Sequence, residues 1–319
     1  MKAIQLADKD DKTSLTLTEV PDPVLTDGEI LVEVHAAGVN RGDLLQAAGF
    51  YPPPKGASEI IGLECAGVVI DSNGTDVAEG TEVCCLLAGG AYAEKVAVPA
   101  EHVLALPEGY SFTDAAAIME VACTVFSNLV MLAGMKQGDT VVIHGGAGGI
   151  GSFAIQLAAQ MGCHVITTCG SEDKEEFCRR LGADETINYH EQDFAEVATN
   201  KADVILDIMG AKYLDKNISA LAPDGRIVII GMQGGVKGEL NIGKLLAKRG
   251  TIITSALRSR PKQDKADIVR ATYSAIWPHL ADGSIVHQTS QVFDLADAAR
   301  AHALMASGDN TGKIVLRVK

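Results

Sequence analysis

The stretch "TVVIHGGAGGIGSFAIQLAAQMG" (140–162) changes its hydrophobic period halfway along. It opens on the β-branched run 140–144, breaks into glycines, and continues over 152–162 with apolar residues at helical spacing. Strand, glycine-rich turn and helix in that order begin a βαβ unit. Gly146, Gly148 and Gly151 fit G-x-G-x-x-G. The first would permit a tight turn, the second a close approach of backbone to a pyrophosphate, and the third close packing of helix on strand. A helix starting near Gly149 would also offer phosphates the N–H groups of Gly149 and Ile150 and the positive end of its dipole. A turn of purely structural use is the competing reading. No Gly-Lys-Ser/Thr follows, so the motif is not a P-loop.

Outward from this stretch the same rhythm continues. Strand-like runs at 164–169, 185–189, 203–210, 226–231 and 251–255 alternate with helical segments such as 172–182. That alternation predicts a doubly wound parallel sheet. Residues before about 120 read differently: short runs at 29–40, 64–72 and 81–87 are split by Gly, Pro and Asp, as in an antiparallel, barrel-like β domain. A helical 296–308 and a strand-like 312–318 are too short to stand alone and are expected to complete the N-terminal domain. The expected division is a β-rich domain over 1–121, a nucleotide domain over 122–262, and a C-terminal part, 263–319, that returns to the first.

Composition agrees with two ordinary domains. The 319 residues are 47% hydrophobic and 21% charged, with 33 glycines and few aromatics. A net charge of −14 repels phosphate backbones and anionic membranes, so neither nucleic acid nor membrane is an expected partner. The longest apolar stretch, 115–135, is interrupted by Glu120, Thr124, Ser127 and Asn128 and reads as a buried helix. The start, "MKAIQLADKDDK", lacks the apolar core of a signal peptide. A cytoplasmic location is the expectation. Seven cysteines without C-x-x-C spacing argue against a disulfide framework and a structural zinc cluster, and fit small core residues.

About 20 residues beyond the glycine turn, where an NAD site places an acid for the ribose 2′-hydroxyl, stands "TTCGSEDK" (167–174). Cys169 and Gly170 leave room there, Ser171 offers a hydroxyl and Lys174 a charge, as a 2′-phosphate would require. Ser171 can equally cap a helix whose first turn holds Glu172 and Asp173. The residues favour NADP over NAD, with both readings open.

These stretches together resemble the zinc-free quinone oxidoreductases of the medium-chain dehydrogenase/reductase superfamily, in the NADPH-dependent branch related to zeta-crystallin. The motifs that carry the resemblance are "AAGVNRGDLLQAAGFYPPP" (36–54), "IIGLECAGVV" (60–69), "AAAIMEVACTVF" (115–126), the glycine turn, "GSEDK" (170–174), "LGADETINY" (181–189), "LAPDGRIVIIG" (221–231) and "ITSALRSR" (253–260). They run in order from end to end. The resemblance implies a GroES-like β-rich catalytic domain split by an inserted Rossmann domain, with NADPH and a small quinone meeting in the cleft, and a homodimer joined through the Rossmann domains. It also implies that Gly170, Ser171, Lys174 and Tyr189 hold the 2′-phosphate, that Thr124 lies beside the nicotinamide and phosphates, and that Gly231 and Met232 lie near the nicotinamide amide. Arg258, in "LRSR" (257–260), falls near the cofactor cleft in this branch; a solvated basic turn is the alternative.

Related alcohol dehydrogenases hold zinc at the positions occupied here by Asn40 and Leu63, with His35 and Cys65 close by but off the motif. Neither an amide nor a leucine is a zinc ligand of the usual kind, so alcohol oxidation through a Lewis acid is not expected. A quinone is electron-poor enough to accept hydride without one. Asn40 is then a candidate amide donor, and Tyr51 a candidate to stack on a flat ring or bond its oxygen. A Tyr in this loop is also the proton donor of enoyl-thioester reductases, which makes reduction of an activated alkene the rival activity. A non-catalytic NADPH-binding protein is the alternative of a different class.

Overall fold

The computed structural model describes residues 1–6 and 14–319 and divides into two compact units. One comprises Met1–Cys123, Leu257–Gly283 and His287–Lys319; the other comprises Thr124–Ala256 with Ser284–Val286.

The second unit contains a six-stranded sheet. In spatial order its strands are Glu185–Asn188, His164–Cys169, Thr140–His144, Ala202–Asp207, Leu221–Ile229 and Thr251–Thr254, all parallel. Numbered along the chain from Thr140, the order is 3-2-1-4-5-6, the doubly wound arrangement in which direction reverses between the first and fourth strands. Helices Gly149–Gln160 and Glu172–Arg180 connect strands of this sheet. Parallel strands covered on both faces need apolar side chains throughout, and Val141, Val142, Ile143, Val204, Ile205 and Leu206 are all fully buried. Burying each such Ile or Leu contributes about 1.5–3 kcal/mol.

The first unit is built on an antiparallel sheet around the long strand Glu29–Val39. On one side it pairs with Glu64–Asp71, which continues to Glu82–Leu86 and Val103–Ala105. On the other side it is shared: Lys95–Pro99 covers residues 29–33, and Lys313–Arg317 covers residues 36–39. The last strand of the chain thus lies antiparallel beside one of the first. Strand Thr289–Asp294 extends the sheet in parallel pairing with Lys313–Arg317. The expected strands at 29–40, 64–72 and 81–87 are present within a residue or two at most ends. The 20-residue helix Lys262–Ala281 gave no clear periodic signal, because Lys265 and Thr272 are buried among its apolar residues and Pro278 lies inside it. All seven cysteines are buried free thiols.

A buried ion pair fastens the C-terminal strand. Lys313 Nζ donates to Glu64 Oε1 (2.7 Å), Asn40 Oδ1 (2.5 Å) and the Val39 carbonyl (3.0 Å), using all three ammonium donors. Both side chains are out of water, at 4% and 0% exposure, so neither charge has solvent to fall back on. Removing one partner strands the other. Lys313→Met is expected to cost about 3–5 kcal/mol, read from the urea unfolding curve. Adding Glu64→Gln should recover part of that loss.

Candidate functional site

The glycine turn has the geometry its spacing predicts. Gly145 adopts φ +72°, the left-handed region, and turns the chain out of strand Thr140–His144. A Cβ on Gly146 would lie 2.1 Å from Thr167 Oγ1, and one on Gly151 2.3 Å from the Gly145 carbonyl oxygen. Those two glycines are therefore required by the protein's own packing. Gly148 is different: its Cβ would meet only the Gly145 carbonyl oxygen, at an ordinary 3.5 Å. That open side lies at the N-cap of helix Gly149–Gln160, where no side chain caps the helix. The N–H groups at this end, with Gly149 and Ile150 in the first turn, suit an anion. A phosphate group fits where no side chain has been placed.

One strand over, Ser171 caps helix Glu172–Arg180, its Oγ accepting from Lys174 N at 3.4 Å. Glu172, Asp173 and Glu175 occupy the first turn and Arg179 and Arg180 the last, as the helix dipole favours. The two acids are thus helix residues, and the Ser171 hydroxyl keeps its hydrogen to donate. Tyr189 follows the neighbouring strand and is 47% exposed. A Cβ on Gly170 would come within 2.4 Å of its phenol oxygen. Gly170, Ser171, Lys174 and Tyr189 consequently form one shelf at the ends of two adjacent strands.

Gly231 and Met232 follow strand Leu221–Ile229, and a Cβ on Gly231 would be 2.6 Å from the Ile208 carbonyl oxygen. Thr124 is tied to the last strand's end: its carbonyl accepts from Asn128 Nδ2 (2.8 Å), and Asn128 Oδ1 accepts from Ser255 Oγ (2.7 Å). The predicted cofactor residues of this unit therefore collect at the C-terminal edge of the parallel sheet, where such folds bind ligands. Beneath the strand reversal, His144 Nε2 meets Asn217 Oδ1 (2.8 Å), and Asn217 Nδ2 donates to Asp207 Oδ2 (3.1 Å). Burial lowers the His144 pKa to about 4 and raises that of Asp207 to about 6. Sequence reasoning passed over this network, because its members lie up to 73 residues apart.

In the first unit, Asn40 is 8% exposed and caps helix Arg41–Ala47. Its backbone N–H donates to Asp43 Oδ2 (2.7 Å) and its Nδ2 to Glu64 Oε1 (2.9 Å), while its Oδ1 accepts from Lys313. Both ends of the amide are thus engaged within the protein. Leu63 is buried at 3% exposure, Cys65 is in the apolar core, and the His35 ring packs against Phe112 at 4.2 Å. Among the described residues no cluster of three His, Cys, Asp or Glu could hold a metal. Positions 40 and 63 thus present an amide engaged at both ends and a packed leucine, which do not make a donor set for zinc.

Tyr51 is half-buried, and its ring lies against Gly42, where a Cβ would be 3.3 Å from Tyr51 Cε1. Arg258 lies over that ring, its guanidinium carbon 5.0 Å from the centroid. Its Nε and two terminal nitrogens donate to the Ala88 carbonyl (2.8 Å), the Tyr51 carbonyl (2.9 Å) and Gln46 Oε1 (2.6 Å). At 3% exposure Arg258 is no solvated turn; it clamps the loop that carries Tyr51. Burial raises the Tyr51 pKa, with Glu120 raising it further and Arg258 opposing. Asp43 is raised to about 7 by burial, against the hydrogen bond from Asn40 and the Lys313 charge.

Comparison with known proteins accords with both units. Residues 26–108 match the alcohol dehydrogenase GroES-like domain, and residues 149–272 match the zinc-binding dehydrogenase family. The chain is 31% identical over 299 residues to a phenolphthiocerol/phthiocerol polyketide synthase of Mycobacterium tuberculosis; that match covers 91% of this chain but only 14% of the synthase. It is 32% identical to a 2-haloacrylate reductase from a Burkholderia species, covering 91% of this chain and 90% of that one. It is 31% identical to the quinone oxidoreductase of Pseudomonas aeruginosa, at 90% of each. The structure of Escherichia coli quinone oxidoreductase complexed with NADPH superposes with a TM-score of 0.90 at 26% identity, covering 100% of both chains. With the doubly wound unit, the GroES-like unit and full-length relatives in agreement, this chain belongs to the medium-chain dehydrogenase/reductase superfamily and, within it, to the quinone oxidoreductases.

Proposed function

We propose that this protein is a zinc-independent, NADPH-dependent reductase of small quinones. The observation that carries the cofactor assignment is the shelf of Gly170, Ser171, Lys174 and Tyr189, which has hydroxyl donors and a cation where an NAD site has an acid. NADPH supplies the hydride when bound. The turn Gly146–Gly151 would hold its pyrophosphate on backbone N–H groups, and the shelf its 2′-phosphate. The tasks left to the first unit are to orient the acceptor and to provide a proton. Tyr51 is the assigned contact for the acceptor oxygen, on a loop stiffened by Pro52, Pro53 and Pro54 and clamped by Arg258. Asn40, with both ends of its amide engaged, acts by holding Glu64 and Lys313 in place rather than by contacting the substrate.

Reduction of an activated alkene is the second reading. The 2-haloacrylate reductase relative favours it, and Tyr51 would then protonate the α carbon. NADPH consumption measured against a panel of quinones, haloacrylates, enals and enoyl-thioesters should be fastest with a quinone, in protein containing no stoichiometric zinc. One zinc per active chain, or turnover of alkenes alone, would overturn the first reading.

Lys174→Glu should weaken NADPH binding about 10- to 100-fold, the equivalent of a lost charge-assisted hydrogen bond, and leave NADH nearly unchanged. Equal effects on the two would remove Lys174 from the phosphate shelf.

A homodimer through the nucleotide unit completes the proposal. Strand Thr251–Thr254 is last in its sheet, and Val236, Leu240, Ile242 and Leu246 are exposed in the segment that precedes it. Sedimentation equilibrium should return the mass of two chains, and Leu246→Asp should shift it toward one.

A further inference from the structure

Strands Thr140–His144 and Ala202–Asp207 lie side by side at the point where the order of the parallel sheet reverses, and a turn leaves the C-terminal end of each. A line of buried side chains joins the two turns. Gly145 N donates to Thr168 Oγ1 (3.3 Å), and Thr168 Oγ1 lies 3.2 Å from His144 Nδ1. His144 Nε2 lies 2.8 Å from Asn217 Oδ1, and Asn217 Nδ2 donates to Asp207 Oδ2 (3.1 Å). Asp207 in turn accepts from Met209 N (2.6 Å) and Gly210 N (3.2 Å). Thr168 and His144 are 1% exposed and Asn217 and Asp207 0%, so none of them has water as an alternative partner.

The direction of every bond in this line follows from its acidic end. A carboxylate only accepts, so the Asn217 amide turns Nδ2 to Asp207 and Oδ1 to His144. That oxygen also only accepts, so the hydrogen of the neutral imidazole sits on Nε2. Nδ1 is then a bare acceptor and takes the Thr168 hydroxyl hydrogen, which leaves the Thr168 oxygen to accept from Gly145 N. Phe194 and Tyr213 pack edge-on against the His144 ring, with centroids at 4.5 and 4.9 Å, and hold it in place. Asn217, carried by helix Leu214–Ala220, is the member that joins the two halves. On one side of it stand groups from strands Thr140–His144 and His164–Cys169, and on the other the end of strand Ala202–Asp207.

Each end of the line governs a loop given to the cofactor. Gly145 opens the glycine turn. A Cβ on it would lie 2.6 Å from Ile208 Cδ1, so the two turns also touch directly. The turn after Asp207 supports the segment that contains Gly231 and Met232: the Ile208 carbonyl accepts from Gln233 N (3.2 Å) and the Met209 carbonyl from Gly234 N (2.7 Å). We propose that Asn217 is a positioning residue for NADPH, fixing the spacing between the turn that takes the pyrophosphate and the 231–235 loop that takes the nicotinamide by tying His144 to Asp207. The proposal rests on that placement of the two cofactor groups. Ser171, Lys174 and Tyr189 are not members of the line, so cutting it at Asn217 leaves the grip on the 2′-phosphate in place.

The test is equilibrium binding of NADPH, read from its fluorescence, and of adenosine 2′-monophosphate in competition, which reaches the shelf but neither the turn nor the loop. Asn217→Leu removes both bonds and should weaken NADPH about tenfold or more, while adenosine 2′-monophosphate binds within about twofold of wild type. Asn217→Asp keeps the shape but sets a second carboxyl against Asp207, and two such groups hold one proton between them more tightly than either alone. The titratable groups facing that pair are His144, which burial keeps neutral, and the Tyr213 hydroxyl. With that proton the pair again donates to Asp207 and accepts from His144. Its NADPH affinity relative to wild type should therefore be lowest at pH 8.5 and recover toward pH 6.5, a range in which wild-type Asp207, with a pKa of about 6, stays mostly ionised. Nitrogen NMR of the cofactor-free wild type should show His144 protonated on Nε2 and bare on Nδ1. The opposite tautomer, unchanged NADPH affinity in the variants, equal losses for the two ligands, or no recovery of Asn217→Asp at pH 6.5 would overturn the proposal. NADPH affinity untouched by Gly148→Val would instead overturn the placement of the pyrophosphate beneath it.

Discussion

The ammonium group of Lys313 is the constraint around which the first unit's site is arranged. Three acceptors converge on it: a carboxylate from strand Glu64–Asp71, the amide of a helix N-cap, and a carbonyl at the end of strand Glu29–Val39. Burying an ammonium is tolerable only if its donors are all met, and here they are. The same bonds fix Asn40, which fixes Asp43 through the capping box and so the start of the helix against which the Tyr51 ring packs. A second cation, Arg258, holds the Tyr51 loop from its other side.

The nucleotide unit depends on a different constraint, the close approach of backbones. Gly146 and Gly151 are dictated by Thr167 and by the turn itself, whereas Gly148 has no such neighbour. A glycine that the protein's own packing does not demand is best explained by something else that must come close. Gly170, by contrast, resembles Gly146 and Gly151, since the protein's own Tyr189 phenol leaves no room for a Cβ there.

Much of the fold was legible because periodicity is local. The strands of the parallel sheet, the glycine turn and the capped helix at Ser171 each declare themselves within a dozen residues. Helix Lys262–Ala281 did not, since tertiary contacts bury Lys265 and Thr272 on what would otherwise read as polar positions. The basic run at 257–260 was ambiguous for the same reason: nothing local says that Arg258 will be 3% exposed and bonded to residues around 46, 51 and 88.

What the sequence determined by itself was the class of each unit, a glycine-rich turn between strand and helix, the lack of an acid at Cys169–Gly170–Ser171, and an amide and a leucine at Asn40 and Leu63. These are statements about residue type at short spacing, which is where side-chain chemistry and backbone freedom act directly. The tertiary structure alone decided which acids of the cluster are paired and which are merely buried. Asp43, Glu64 and Glu120 look like ordinary acids along the chain, and only their place around a lysine 249 residues from Glu64 separates one that is ion-paired from two whose pKa values are raised by burial. Desolvation and charge proximity depend on what surrounds a group in space, and a sequence read along the chain does not contain that distance.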